Sequence, residues 1–194
     1  MRNQIFTTVS AVVASAAMMM ASGCASGEHA HGHGAHGSHG PITKAEVTAA
    51  QREWGDGIVD ISRVYAETGD AKARATEHIN SMYAYGNTIV LFKPTLASED
   101  QFRGDFDGAL SYFIGREGTE DTGFAIKGWT NVRFECEGVH IGSELAMAMG
   151  NYFFTDPNGD ETKVEYSFGY VRGHDGKLDI MLQHSSAPYG SWKD

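Results

Sequence analysis

From Trp129 to the end of the chain, apolar and polar residues alternate with a period of two, and no other feature constrains the fold as much. Val132, Phe134 and Cys136 alternate with Arg133, Glu135 and Glu137. Val164, Tyr166, Phe168 and Tyr170 alternate with Glu165, Ser167 and Gly169. Successive strand side chains point to opposite faces, so each run has one face in a core and one in water. The stretch 145–154 is apolar or small throughout and reads as a central strand covered on both sides. Asp156-Pro157-Asn158-Gly159-Asp160 and Gly173-His174-Asp175-Gly176 are turn sequences. Strands joined by such short turns form an antiparallel meander. The alternation places Cys136 among the core residues as an inert thiol. In the last strand Leu178, Ile180, Leu182, His184 and Ser186 share one parity.

Upstream the period changes. Thr43-Lys44-Ala45-Glu46 is a capping box. Val47, Ala50, Trp54, Ile58, Ile61 and Tyr65 follow at helical spacing, with Gly55 and Gly57 weakening the middle and Gly69 ending the helix. Asp70 can cap a second helix with the stripe Ala75, Ile79, Met82 and Tyr83. His78 borders that stripe and reads as packed and hydrogen-bonded. Residues 88–92 are β-branched and aromatic, so they read as a buried strand that Pro94 stops. The apolar run 109–114 fits either element type. Helices first and a run of strands afterwards imply an α+β domain. A twisted sheet curling around its helices leaves a cone with one pocket inside.

The first 40 residues are of another kind. Residues 5–20 are apolar and small behind Arg2, too short for a membrane span and suited to a signal sequence. They lead to Ala21-Ser22-Gly23-Cys24, which resembles a bacterial lipobox with Cys24 as the lipidated residue; ordinary cleavage nearby is the alternative. The expected organisation is a signal peptide over 1–24, a tether over 25–40 and a folded domain over 41–194. The expected location is the periplasm, on the outer or inner membrane through a lipid anchor. The tether holds five of the nine histidines, His29, His31, His33, His36 and His39, separated largely by glycine. They offer weak affinity for Zn²⁺, Ni²⁺ or Cu²⁺ without fixed geometry. With Cys24 in the leader, Cys136 is alone in the domain and no internal disulfide can form. The net charge of -10 argues against nucleic acid, which needs a basic footprint.

The last strand carries the chemistry. Its apolar parity turns polar at the end, as when a strand leaves a core and enters a pocket. His184 and Ser186 would then project to one side, about 7 Å apart, with Gln183 and Ser185 facing away. His140 and His174 fall at turns and read as solvated. The domain holds no HxH, HExxH or CxxC spacing, so no protein-held zinc site is signalled. It also lacks a Gly-rich phosphate loop and a GxSxG elbow.

In order along the chain stand WGDGI, LFKPT, GALSYFIG, MGNYFFTD, KVEYSFGY and QHSS. From about Ile42 to Tyr189 the sequence resembles the iota-class carbonic anhydrase family. That resemblance implies a SnoaL-like, cystatin-like cone, similar to the association domain of calmodulin-dependent kinase II. It implies a lyase that reversibly hydrates CO2 to bicarbonate without a metal cofactor, and a homodimer. The implied pocket residues are Thr95, Tyr112 and Ser186, with His184 beside them and Ser185 as a further substrate contact. Gln183 stands where the family often has His. A proton relay lost there would slow the enzyme, whereas an outward side chain would matter little. Without a metal, a base must take the proton from water, and neutral His184 suits that role. An equal reading has His184 only orienting a water or Ser186. The hydroxyls would stabilise charge developing on the CO2 oxygens. Two other readings stay open: a non-catalytic module that binds a small ligand or oligomerises, and a metal-handling protein working through its tail.

Overall fold

The computed structural model describes residues 40–191. The expected signal peptide with Cys24, and the tether histidines His29, His31, His33, His36 and His39, lie outside the described residues. Helix α1 spans Lys44–Thr68. The Thr43 hydroxyl accepts from the Glu46 N–H at 3.2 Å, and the Glu46 carboxylate accepts from the Thr43 N–H at 2.8 Å. Gly69, at φ 76°, ends it. The two inner glycines do not break the helix because they are contact points. A Cβ on Gly55 would stand 3.2 Å from Val132, and one on Gly57 only 2.1 Å from His78 Nδ1. Helix α2 spans Lys72–Met82; Asp70 accepts from the Lys72 N–H at 2.8 Å, although Ala71 is the cap residue.

Strand β1, Leu91–Lys93, is shorter than the 88–92 run suggested. The Asn87 and Thr88 N–H groups both bond the Ala84 carbonyl, so that stretch is a turn and cannot join a ladder. The run 109–114 belongs to helix α3, Phe106–Ile114, whose cap Asp105 accepts from the Gly108 N–H at 2.7 Å. A single 3-10 turn, Phe124–Ile126, follows. The meander is β2 Asn131–Ile141, β3 Leu145–Thr155, β4 Glu161–Arg172 and β5 Leu178–Ser186. Sheet order is β1-β5-β4-β3-β2, with β1 parallel to β5 and the other pairs antiparallel. The fold is α+β, with helices packed on one face of a five-stranded sheet. Trp54, Phe113, Phe154, Phe168 and Tyr170 fill the space between.

Three readings of the strands change. Strand β3 is covered on one face only: Ala146, Ala148, Tyr152 and Phe154 are buried, while Leu145, Met147 and Met149 are exposed. Cys136 is an exposed thiol and not a core one. Beside it β2 bulges: Cys136 pairs with Gly150 and Gly138 with Met149, leaving Glu137 as the extra residue. The third change concerns β5. Gly169 pairs with Leu182 but Tyr170 with Ile180, so Met181 is extra and the alternation resets there. Leu178 and Ile180 face the core, and after the bulge so do Gln183 and Ser185.

Candidate active site

The bulge at Met181 decides which end of QHSS meets the interior. Gln183 pairs with Phe168 and Ser185 with Tyr166, all four buried. His184 is exposed, in a shallow groove on the outer face of the sheet beside Met149 and Asn151. Ser186 lies on that face too and donates to Glu165 at 2.9 Å. The expectation that His184 and Ser186 project into the pocket is therefore corrected: one extra residue exchanged the two faces. Gly169, directly across from the bulge, was the available signal, since glycine inside a strand often marks such an irregularity. A Cβ there would stand 3.0 Å from that of Leu182.

Between sheet and helices lies a cavity of about 380 Å³. Thr95, Tyr112 and Ser185 line it, so three of the residues named from sequence are brought together. Tyr152, Gln183, Thr162 and Lys127 line it as well; sequence reasoning missed Tyr152, Thr162 and Lys127, and weighed Gln183 as a relay position while parity faced it outward. Tyr152 stood in plain view within MGNYFFTD but read only as core. The rest of the wall is largely aromatic. Tyr112 stacks on Phe124 at 5.5 Å, Trp54 on Phe124 at 6.4 Å, and Phe92 meets Tyr112 edge-on at 5.8 Å.

Each polar group has a mechanical reason for its place. Pro94 ends β1, and the loop after it carries Thr95 over the cavity. Glu120 pins that loop by accepting from the N–H groups of Ser98 at 2.8 Å and Asp100 at 2.9 Å. Arg103, within the same loop, meets Asp121 at 2.6 Å, and Asp121 also accepts from the Ser111 hydroxyl at 2.6 Å. Ser111 precedes Tyr112 on α3, so one buried cluster sets both Thr95 and Tyr112. Deeper in, Trp54 Nε1 donates to the Tyr83 hydroxyl at 2.9 Å, and Tyr83 donates to Gln183 Oε1. The Tyr152 and Ser185 hydroxyls are hydrogen-bonded to one another.

Burial keeps these phenols protonated. It pushes Tyr152 up to about 12, against the hydrogen bonds from Ser185 and Gln183. It raises Tyr112 well beyond the usual phenol range. Both are hydrogen-bond donors at neutral pH. Among the described residues no imidazole or carboxylate lines the cavity. His78 is buried nearby against Trp54 and Phe113, but its Nε2 has no partner, which corrects the hydrogen-bonded reading. Desolvation lowers it to about 3, so it is neutral. Among the described residues no group of three or more His, Cys, Asp and Glu is placed to hold a metal ion.

A sheet closed over helices around an aromatic cavity with a few converging hydroxyls defines the class: a conical α+β pocket domain. The sequence model of the metal-independent carbonic anhydrase family matches residues 45–187. A metal-independent carbonic anhydrase of Nostoc sp. (strain PCC 7120) is 42% identical over 153 residues, which is 76% of this chain and 75% of that one. The crystal structure of a cyanobacterial iota-carbonic anhydrase complexed with bicarbonate superposes with a TM-score of 0.75 at 40% identity, covering 78% of this chain and 95% of that one. A calcium/calmodulin-dependent protein kinase II association domain of Xanthomonas campestris shares the fold alone, with a TM-score of 0.52 at 21% identity over 75% and 87% of the two chains. The chain belongs to the metal-independent carbonic anhydrase family and is an enzyme of the lyase class.

Proposed function

We propose that the cavity hydrates CO2 to bicarbonate and runs the reverse reaction, with Thr95, Tyr112, Tyr152, Gln183 and Ser185 as its working groups. One observation carries this reading: the bulge at Met181 turns Ser185 and Gln183 into the cavity that Thr95 and Tyr112 also reach. CO2 is apolar and partitions into an aromatic box. As water adds to carbon, negative charge grows on the two CO2 oxygens. Hydroxyl donors fixed in a water-poor site stabilise that charge more than bulk water does.

The proton needs a route without a titrating base. A hydroxyl both accepts and donates. Ser185 takes a proton from the attacking water as its own hydrogen passes to Tyr152, whose hydrogen passes on to a CO2 oxygen. The product is carbonic acid, which releases a proton to solvent and becomes bicarbonate. Atoms and charge balance, and neither phenol has to ionise. His184 on the outer face takes no part. Stopped-flow hydration of CO2 by the purified chain tests the reading. Turnover well above the buffer rate supports it, and a rate equal to buffer alone leaves a pocket that binds without catalysing.

We infer further that the chain works in the periplasm, held to a membrane through lipidated Cys24. The small-residue run before Cys24 supports this. Fractionation with labelled palmitate tests it: label lost in Cys24→Ser is expected, and an unlabelled wild type refutes the anchor. We infer too that a second copy covers the outer sheet face, where Met147 and Met149 stand 50% and 56% exposed. Sedimentation should give a dimer that Met149→Glu dissociates; a monomeric wild type rejects that assembly.

A further inference from the structure

Bicarbonate has four heavy atoms, and the cavity is far larger than that. A water takes up about 30 Å³ of liquid, so 380 Å³ leaves most of the space unused by the small ion. The volume falls within the range of about 300–1,000 Å³ that holds drug-sized ligands. The unused walls are flat. Tyr112 and Phe124 lie parallel within 16°, Trp54 and Phe124 within 23°, and Trp129 sits 6.2 Å from Phe124. Such surfaces favour another aromatic ring.

The charge is equally specific. Lys127, next after the 3-10 turn, is exposed and yet lines the cavity, which puts it at the opening. It is the one charged side chain among the lining residues, and it makes no salt bridge with any described residue. On a chain of net charge -10, an unpaired cation at the mouth of an aromatic box selects for an anion.

We infer that the cavity is also a binding site for planar aryl monocarboxylates. The ring lies against the aromatic walls and the carboxylate meets the ammonium of Lys127. Such a ligand excludes bicarbonate by occupying the same space. That consequence rests on the carbonic anhydrase reading of the cavity, whereas the binding itself does not.

Benzoate is the probe, with acetate as an anion without a ring and benzamide as a ring without charge. The full chain is titrated by tryptophan fluorescence, since Trp54 and Trp129 line the site. Saturable benzoate binding, tighter than that of acetate, is expected. A solvent-exposed ion pair contributes at most about 1 kcal/mol, so Lys127→Gln should weaken benzoate by up to about five-fold and leave benzamide unchanged. Lys127→Arg should keep the wild-type affinity. Benzoate no tighter than acetate, or equal losses for benzoate and benzamide in Lys127→Gln, overturns the proposal. Stopped-flow assays run alongside should show benzoate competing with bicarbonate in dehydration. Turnover without benzoate binding sinks this site and leaves the enzyme reading standing. Benzoate binding by a chain with no turnover does the opposite.

Discussion

The hydroxyls of Tyr152 and Ser185 are hydrogen-bonded inside the cavity, although their strands β3 and β5 are not neighbours and β4 lies between them. The curvature of the sheet brings them together, and burial holds both in place. This pair sets the first prediction. Ser185→Ala removes a donor from the charge-stabilising set and breaks the proton route at its first member, so kcat for CO2 hydration should fall by about 10²–10³. Tyr152→Phe cuts the same route one step later and should fall comparably. The double variant should cost little more than either single one, because groups acting as a unit are not additive. Additive losses would separate the two residues.

The outer face gives the contrasting prediction. His184 is exposed and adjoins the groove beside Met149. His184→Ala should therefore keep kcat within about two-fold of wild type, as exposed substitutions usually perturb little. A loss of 10²-fold or more in stopped-flow turnover would return the general base to His184 and remove the hydroxyl relay.

The helix order, capping box, meander and α+β class were all legible, because each depends on local periodicity. Thr95 and Tyr112 were legible through motif resemblance. The facing of QHSS was not. Parity counting assumes an unbroken pleat, and a single extra residue at Met181 reverses everything after it. Cys136 precedes the bulge at Glu137 and keeps the parity of Phe134, but it lies on the edge strand β2 and stands exposed. Tyr152 was missed because a sheet's curvature, which no short pattern encodes, decides which wall it joins, and Lys127 because it stands in the irregular loop after the 3-10 turn, where no periodicity places a side chain.

Gln183 allows the base to be restored by design. Its Oε1 meets the Tyr83 hydroxyl, and an imidazole there can donate its N–H to that oxygen and keep its other nitrogen free as a base. Burial would hold that imidazole below its ordinary value of about 6.5. In Gln183→His the hydration rate should rise with pH through an inflection below that value, as the ring loses its proton and becomes a base. Wild type should show no such inflection, since no imidazole of the described residues lines its cavity. A matching inflection in both proteins would place the titrating group elsewhere.

Acid should loosen the chain while the phenols, already protonated, stay as they are. Backbone and side-chain hydrogen bonds from Ser98 hold Glu120 down at about 2, and Arg172 with Thr43 holds Glu46 at about 2, against an ordinary 4.5. Both pKa values are lower when folded, so protonation favours the unfolded chain. The stabilisation is full above about 4.5 and is lost as the pH falls toward 2. Thermal melts should show Tm dropping across that window. Glu120→Gln should start from a lower Tm at neutral pH and fall less steeply in acid. An unchanged acid slope in that variant would assign the loss to other carboxylates.

Arg103 and Asp121 lie 2% and 3% exposed with their charges 2.6 Å apart, and they join the Thr95 loop to α3. Removing Asp121 takes away the one close carboxylate of the buried guanidinium and leaves it only Asp100 at 3.7 Å and Glu120 at 3.9 Å. Asp121→Asn should therefore cost about 3–5 kcal/mol in urea unfolding. Replacing both by apolar residues, as in Arg103→Met with Asp121→Leu, removes that guanidinium as well and should cost much less than the single change. The Ser111 hydroxyl loses its acceptor in the double variant, so some deficit stays. Amide exchange locates the effect: in Asp121→Asn protection should be lost over residues 96–104, while β3 and β4 stay protected. A uniform loss across the sheet would mean that the pair supports the whole domain and not the loop that carries Thr95.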